Sequence, residues 1–247
     1  MIYDPQPQLV DAASILPVAS STANPRTPEL VVATFNQGKL AEIRALLARY
    51  PVRVTSLAAF KVSPTVENGQ SYRENAIAKA VSAARASGVP ALSDDSGIEV
   101  DALGGQPGLF TARWTKQQGG DEPALRALWR KLCAAGPRPP SATGASVFCA
   151  LSLGWPDGRC LVTEARLDGN VIWPPRGSGR GLYGMFVPEG QHLSLAEIMQ
   201  VELEDPDSVH QASHRMLAFL QLLDLGLAEL LTRGRLIEGS PEADGAA

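Results

Sequence analysis

The feature that most limits how this chain can fold is an apolar run of only four residues, Leu30 to Ala33, that breaks at once into the polar turn TFNQGK. Its length and β-branched content suit a buried strand. Leu40, Ile43, Leu46 and Leu47 then recur at the spacing of one helix face. A strand, a tight turn and an amphipathic helix in that order require a sheet with helices laid against it.

The remaining segments extend this pattern without strict alternation. Ser71 with Glu74 three residues on reads as a capping box, followed by Ala76, Ile77, Ala80, Val81 and Ala84 on one helix face, with Asn75 and Lys79 sharing another. Gly88, Val89 and Pro90 close that helix, and a short run from Ala91 to Ser93 leads into Asp94, Asp95, Ser96 and Gly97, read as a turn. Ile98 to Trp114 reads as a short strand and a loop, and Pro123 to Leu132 as a helix. Strand-like runs lie at 146–153, 160–165 and 171–173, separated by Pro-Asp-Gly and Asp-Gly turns. A second capping box, Ser194 and Glu197, opens a further helix, and a last long helix turns Leu217, Leu220, Leu223, Leu227 and Leu230 inward. The expected architecture is α/β, with a mixed sheet in two lobes, one domain over residues 29–232 and flexible arms at 1–28 and 233–247.

Composition narrows the class of partner. With 45% apolar and 19% charged residues and a net charge of −4, the chain can build a core but offers no broad basic surface for polymeric nucleic acid or anionic lipid. Its 23 glycines and 19 prolines stay below the about 25–30% that marks low-complexity sequence. The three cysteines, Cys133, Cys149 and Cys160, show neither paired nor metal-binding spacing, which suits reduced thiols in the cytoplasm. No run approaches the about 18 apolar residues of a membrane helix, and the N-terminal stretch has no early basic region of a secretory signal.

Three fragments carry candidate chemistry. TFNQGK places Thr34, Asn36 and Lys39 between a strand end and a helix start, where backbone amides and the helix dipole favour an anion. It lacks Walker spacing, and an ordinary capped turn remains the alternative. The adjacent carboxylates of Asp94 and Asp95 repel unless a cation or strong donors neutralise one of them. Oxygen ligands of this type suit Mg²⁺, with Glu67 from the VENG segment as a further carboxylate; an exposed acidic turn is the bland alternative. His210 and His214 are spaced i, i+4, yet no third zinc ligand accompanies them. His214 and Arg215 are better used as hydrogen-bonding groups for a ligand. DDSGI lacks the G-x-S-x-G elbow of a serine hydrolase, and GSGRGLYG lacks the full dinucleotide fingerprint.

Taken together and in order, TFNQGK, ENGQSYRENAIAKA, ALSDDSGIEVDALGGQPGLFTARW, LSLAEIM and SHR resemble the inosine triphosphate pyrophosphatase family over about residues 30–231. The resemblance implies two α/β lobes around a long mixed sheet, a central nucleotide cleft and a homodimer. It implies Mg²⁺-dependent hydrolysis of nonstandard purine nucleoside triphosphates to the monophosphate and pyrophosphate. Matched residue by residue, it makes Thr34, Asn36, Lys39 and Lys79 triphosphate contacts, and Glu67 and Asp95 metal ligands. Asp95 is also the general-base position, Ser96 a substrate contact, and His214 with Arg215 the base-reading end. Two departures fall on that end. The family's Gly-Phe-Gly-Tyr-Asp-Pro run is replaced by GLYGMF, without an aspartate, and the lysine before Ser-His-Arg is missing. They leave open a catalytically weak nucleotide-binding paralogue, or a pyrophosphatase of other modified nucleotides.

Overall fold

In a computed structural model the described residues are 27–60, 65, 67–136, 143–177, 179–205 and 212–233. Nearly all of both expected arms, and His210, lie outside them.

Among the described residues seven strands form one mixed sheet in the order β2-β1-β3-β5-β6-β7, with β4 on β3. The first strand, β1 (Glu29–Val32), pairs in parallel with β2 (Arg53–Ser56) on one side and with the start of β3 (Ala91–Val100) on the other. Between β1 and β2 runs α1 (Gln37–Leu47), which buries Leu40, Ile43, Leu46 and Leu47 as its spacing requires. The second helix, α2 (Tyr72–Ser87), starts on Ser71, whose Oγ accepts from the Glu74 amide at 3.1 Å. The Glu74 carboxylate reaches the Gln70 amide instead of that of Ser71, so the expected box is offset by one residue. Ala76, Ala80 and Ala84 bring this helix so near the sheet that a Cβ on Gly154 would lie 2.8 Å from the Ala80 backbone.

Three expectations need correction. Asp94 to Gly97 is no turn: β3 runs unbroken through it, paired along its length with β5 (Gly144–Gly154). The polar residues are tolerated there because each aspartate is paired, Asp94 with buried Arg215 and part-buried Lys39, and Asp95 with buried Asn75 and part-buried Lys79. Second, the loop expected after Ile98 contains β4 (Gln106–Pro107), a 3-10 turn at 108–110 and α3 (Thr111–Gln117), whose seven residues are too few to display a period. Third, 160–165 and 171–173 are not separate strands, since β6 (Cys160–Val171) passes through Asp168-Gly169 without turning. Gly169 serves close approach instead, because a Cβ there would meet the Val187 carbonyl of β7 (Phe186–Pro188) and the Phe186 ring.

The helix expected at 123–132 is α4 (Asp121–Ala134), and α5 (Leu195–Glu204) begins on Ser194–Glu197 with both halves of its capping box formed. The last helix is interrupted. Between α6 (His214–Leu222) and α7 (Ala228–Arg233) lies a π-turn over Leu223–Leu227, where Gly226 takes φ 135° and Leu220 faces outward.

The two largest apolar clusters among the described residues sit at opposite ends of the β3–β5 pair. One gathers Leu30, Ile43, Leu92, Leu151, Phe219 and Leu227; the other gathers Ile98, Val100, Leu128, Val147, Phe186 and Met199. These are the two lobes, and the charged stretch Asp94–Ser96 is the seam between them. On one edge of β3, β1 pairs with Ala91 and Leu92 while β4 pairs with Glu99 and Val100, so the seam has no strand beside it there. Among the described residues no helix is long and apolar enough to cross a membrane.

Candidate active site

Successive residues of a strand point to opposite faces. Because Asp94 and Asp95 lie within β3 rather than on a turn, the pair is split between two charge clusters.

On one face, Asp94 is buried and receives Lys39 Nζ at 2.9 Å and Arg215 Nη2 at 3.0 Å, while Ser96, two residues on, donates to its Oδ2 at 3.1 Å. Burial pushes the Asp94 carboxyl up, but Lys39, Arg215 and Lys79 outweigh it and hold the group far below the usual carboxylate range. Arg215, 1% exposed, also pairs through Nη1 with Glu42 of α1. Glu42 in turn accepts from Arg180 Nη1 at 2.7 Å. One carboxylate thus joins guanidinium groups from α6 and from the loop before β7.

On the other face, Asp95 accepts from Lys79 Nζ at 2.8 Å and from Asn75 Nδ2 at 3.1 Å. Lys79 Nζ also meets Glu67 at 2.8 Å, so two carboxylates bracket one ammonium. Asn75 and Lys79 project together because they are one helical turn apart on α2. Burial raises the Asp95 carboxyl above its ordinary range despite Lys79, whereas for Glu67 the lysine outweighs burial and lowers it. A raised carboxyl is a better proton acceptor than an ordinary one.

Among the described residues no group of three or more His, Cys, Asp and Glu side chains is arranged to hold a metal. Glu67 and Asp95 nevertheless fit a hard divalent ion: both offer carboxylate oxygens to one cationic point, and Mg²⁺ is usually held by one or two carboxylates with phosphate and water.

Beside the Asp94 cluster opens a cavity of about 240 Å³, lined by Asn36, Gly38, Lys39, Glu42, Ser96, Thr111, Arg180, Tyr183 and Arg215 among others. Asn36 caps α1, its Oδ1 accepting from the Lys39 amide at 3.1 Å, and Thr34 Oγ1 accepts from the Asn36 amide at 3.2 Å. This turn presents Lys39 toward Asp94. Thr34, Glu67, Lys79 and Asp95 do not line it. His214 lies one layer behind the wall: it is fully buried, its ring edge-on to Tyr183 at 4.9 Å. Burial and Arg215 keep its imidazole neutral, and neither ring nitrogen has a partner among the described residues. Leu182 is buried in the second core, while Tyr183 lies at the cavity with its hydroxyl 3.4 Å from Ser96 Oγ.

Three contributors were not foreseen as site residues. Glu42 had a signal, an acid four residues before Leu46 on the apolar stripe of α1. Asn75 had its shared face with Lys79. Arg180, in a glycine-rich stretch without periodicity, had none.

Behind Arg215, the Glu202 carboxylate accepts from the amide of Ser213, the residue that caps α6. Burial is the main reason its pKa stands at about 7; Ser213 lowers it and Glu42 raises it. The folded state therefore favours protonated Glu202, which stabilises the fold fully below the ordinary value near 4.5 and ceases to as pH rises through about 7. Glu202→Gln, which keeps an acceptor for Ser213, should raise stability by about 2 kcal/mol at pH 8 relative to the parent and by little at pH 5, as read from urea melts.

The Ham1 family model matches residues 30–225, and the chain belongs to that family. It is 40% identical over 210 residues to a dITP/XTP pyrophosphatase of Bradyrhizobium sp. strain BTAi1, covering 84% of this chain and 98% of that protein. It is also 40% identical over 204 residues to a dITP/XTP pyrophosphatase of Rhodopseudomonas palustris, covering 82% and 97% respectively. A solved HAM1 protein from Coxiella burnetii superposes with a TM-score of 0.66 at 32% identity, over 82% of this chain and 99% of that one.

Proposed function

We propose that this protein hydrolyses nonstandard purine nucleoside triphosphates of the dITP, ITP and XTP type to the monophosphate and pyrophosphate, with Mg²⁺. The observation that carries the reading is the division of charge across β3: Lys39 beside Asp94 at the cavity, and Lys79 between Glu67 and Asp95 on the reverse face. The dITP/XTP pyrophosphatases that the chain resembles over most of their length support it.

A triphosphate resists attack because its oxygens repel a nucleophile, so catalysis is mainly positioning and charge screening. Lys39 and Lys79 flank the open edge of β3 closely enough that each acts on both aspartates, so a phosphate chain at that edge meets two ammonium groups, and the Asn36 cap orients the start of α1 and its dipole toward the same place. Asp95 takes a proton from water as the water oxygen bonds to the α-phosphorus. The α–β anhydride bond breaks and pyrophosphate leaves with the bonding pair. Glu67 and Asp95 are the residues that would hold Mg²⁺, which neutralises charge on the phosphate oxygens. Ser96, Arg215 and the cavity walls take the nucleoside end, with His214 fixing Tyr183 from behind.

Purified protein with Mg²⁺ should release pyrophosphate from deoxyinosine, inosine or xanthosine triphosphate at least tenfold faster than from the four standard deoxynucleotides. No release from any triphosphate, with tight binding retained, would instead establish the weak nucleotide-binding paralogue. Faster release from modified pyrimidines would redirect the substrate class. The same reading makes the protein a cytoplasmic homodimer without polymeric nucleic acid as a partner, and light scattering should return twice the 26.1 kDa chain mass.

A further inference from the structure

We propose that Arg180 is a specificity-determining residue of the cleft, its guanidinium selecting purines with a carbonyl at C6 over those with an amino group. The proposal rests on the function given above and concerns the nucleoside end of the same cavity.

Among the described residues three cationic side chains line the cavity, Lys39, Arg180 and Arg215. Lys39 is committed to Asp94. Arg215 is 1% exposed and spends its two terminal nitrogens on Glu42, Asp94 and Ser96. Arg180 differs. Its side chain is 10% exposed, and among the described residues its only polar partner is Glu42, reached through Nη1 alone. Among the described residues the other N–H groups of its fork have no partner, and they belong to a side chain on the cavity wall.

Its placement is built by the backbone. Arg180 stands between Gly179 and Gly181, with φ 68° and 57°, in the left-handed region that suits glycine. The Gly181 amide is tied to Asp121 at 3.0 Å, fixing the base of the loop to α4. From there the side chain crosses to α1, where a Cβ on Gly38 would lie 3.5 Å from Arg180 Nη1. The guanidinium thus spans the cleft from one lobe to the other, beside the turn that positions Lys39.

A guanidinium donates and cannot accept. A 6-oxo purine shows two acceptors, O6 and N7, on one edge, which match the Arg fork; a 6-amino purine shows one acceptor and one donor there, and the donor opposes the fork. Arg180 and Arg215 together make this end of the cavity rich in donors, while Glu42 is occupied by both. Asp121, also on the lining, has one carboxylate oxygen engaged by the Gly181 amide.

The test is binding of the α,β-methylene triphosphates of inosine and adenosine with Mg²⁺, measured by calorimetry on the full chain, alongside pyrophosphate release. The parent should prefer the inosine compound, and Arg180→Ala should cut that preference about tenfold or more by weakening the inosine compound selectively. Arg180→Lys keeps a cation for Glu42 but lacks the fork, so it should not restore the preference. Full rescue by lysine would show that Arg180 only tethers Glu42, and an equal loss for both compounds would show general charge attraction; either result overturns the proposal. Thermal melts confirm that the variants remain folded. Parent protein that discriminates in binding but releases no pyrophosphate leaves Arg180 assigned and the hydrolase reading refuted. Parent protein that turns over but binds both compounds equally does the reverse.

Discussion

Asp95→Asn should lower pyrophosphate release by about a thousandfold, within the range that a general base contributes, while the protein stays folded. The side chain keeps its size and one carbonyl oxygen for Lys79, but it can no longer take a proton from water or offer a full charge to a cation. Folding should tolerate the change. Burial already pushes the Asp95 carboxyl above its ordinary range, so the fold gains little from its charge, and Lys79 retains Glu67 at 2.8 Å. The variant should melt within about 6 °C of the parent, corresponding to about 2 kcal/mol for a chain of this size, because the new amide leaves the buried Asn75 Nδ2 without its acceptor. Retained turnover would remove Asp95 from the mechanism; a large loss of stability would show that its charge holds α2 to the sheet.

The contrast with Asp94 explains what could and could not be read from the amino-acid order. Both aspartates stood out as adjacent like charges, and the segments that carry Lys39, Lys79 and Arg215 were visible as helix starts and faces. Short-range physics makes such features legible: an Asn cap over Lys39, or a four-residue step from Asn75 to Lys79, is written within one turn of chain. The state of the backbone under Asp94 and Asp95 was not. Polar residues in sequence imitate a turn, and only the long-range pairing with β5 and the buried cations reveals a strand. The same reason hid the true role of Gly169, which looked like a turn signal and is instead a point of close approach for β7. Arg180 was the least legible, since its partner Glu42 is 138 positions away and no local pattern connects them.

Arg215→Met should destabilise the protein by about 3–5 kcal/mol, the cost of removing one partner from a buried charge network. The guanidinium is 1% exposed and joins Asp94 at 3.0 Å to Glu42, so its loss leaves both carboxylates buried, Asp94 with Lys39 and Glu42 with Arg180. For a domain of this size the melting point should fall by about 10 °C at pH 7. The sign of the pH dependence separates lost charge pairing from lost packing. In the parent, Asp94 titrates below its ordinary value because Arg215, Lys39 and Lys79 outweigh burial, so its stabilisation is present above about pH 4 and disappears as pH falls further. In the variant that contribution is reduced, and the gap between parent and variant should hold down to about pH 4 and narrow as the pH is lowered below it. A gap that stays constant with pH would assign the destabilisation to the cavity left by the side chain. A combined Glu42→Gln, Arg215→Met protein should recover part of the loss, because one of the two stranded charges is then gone, and the recovery measures their coupling directly.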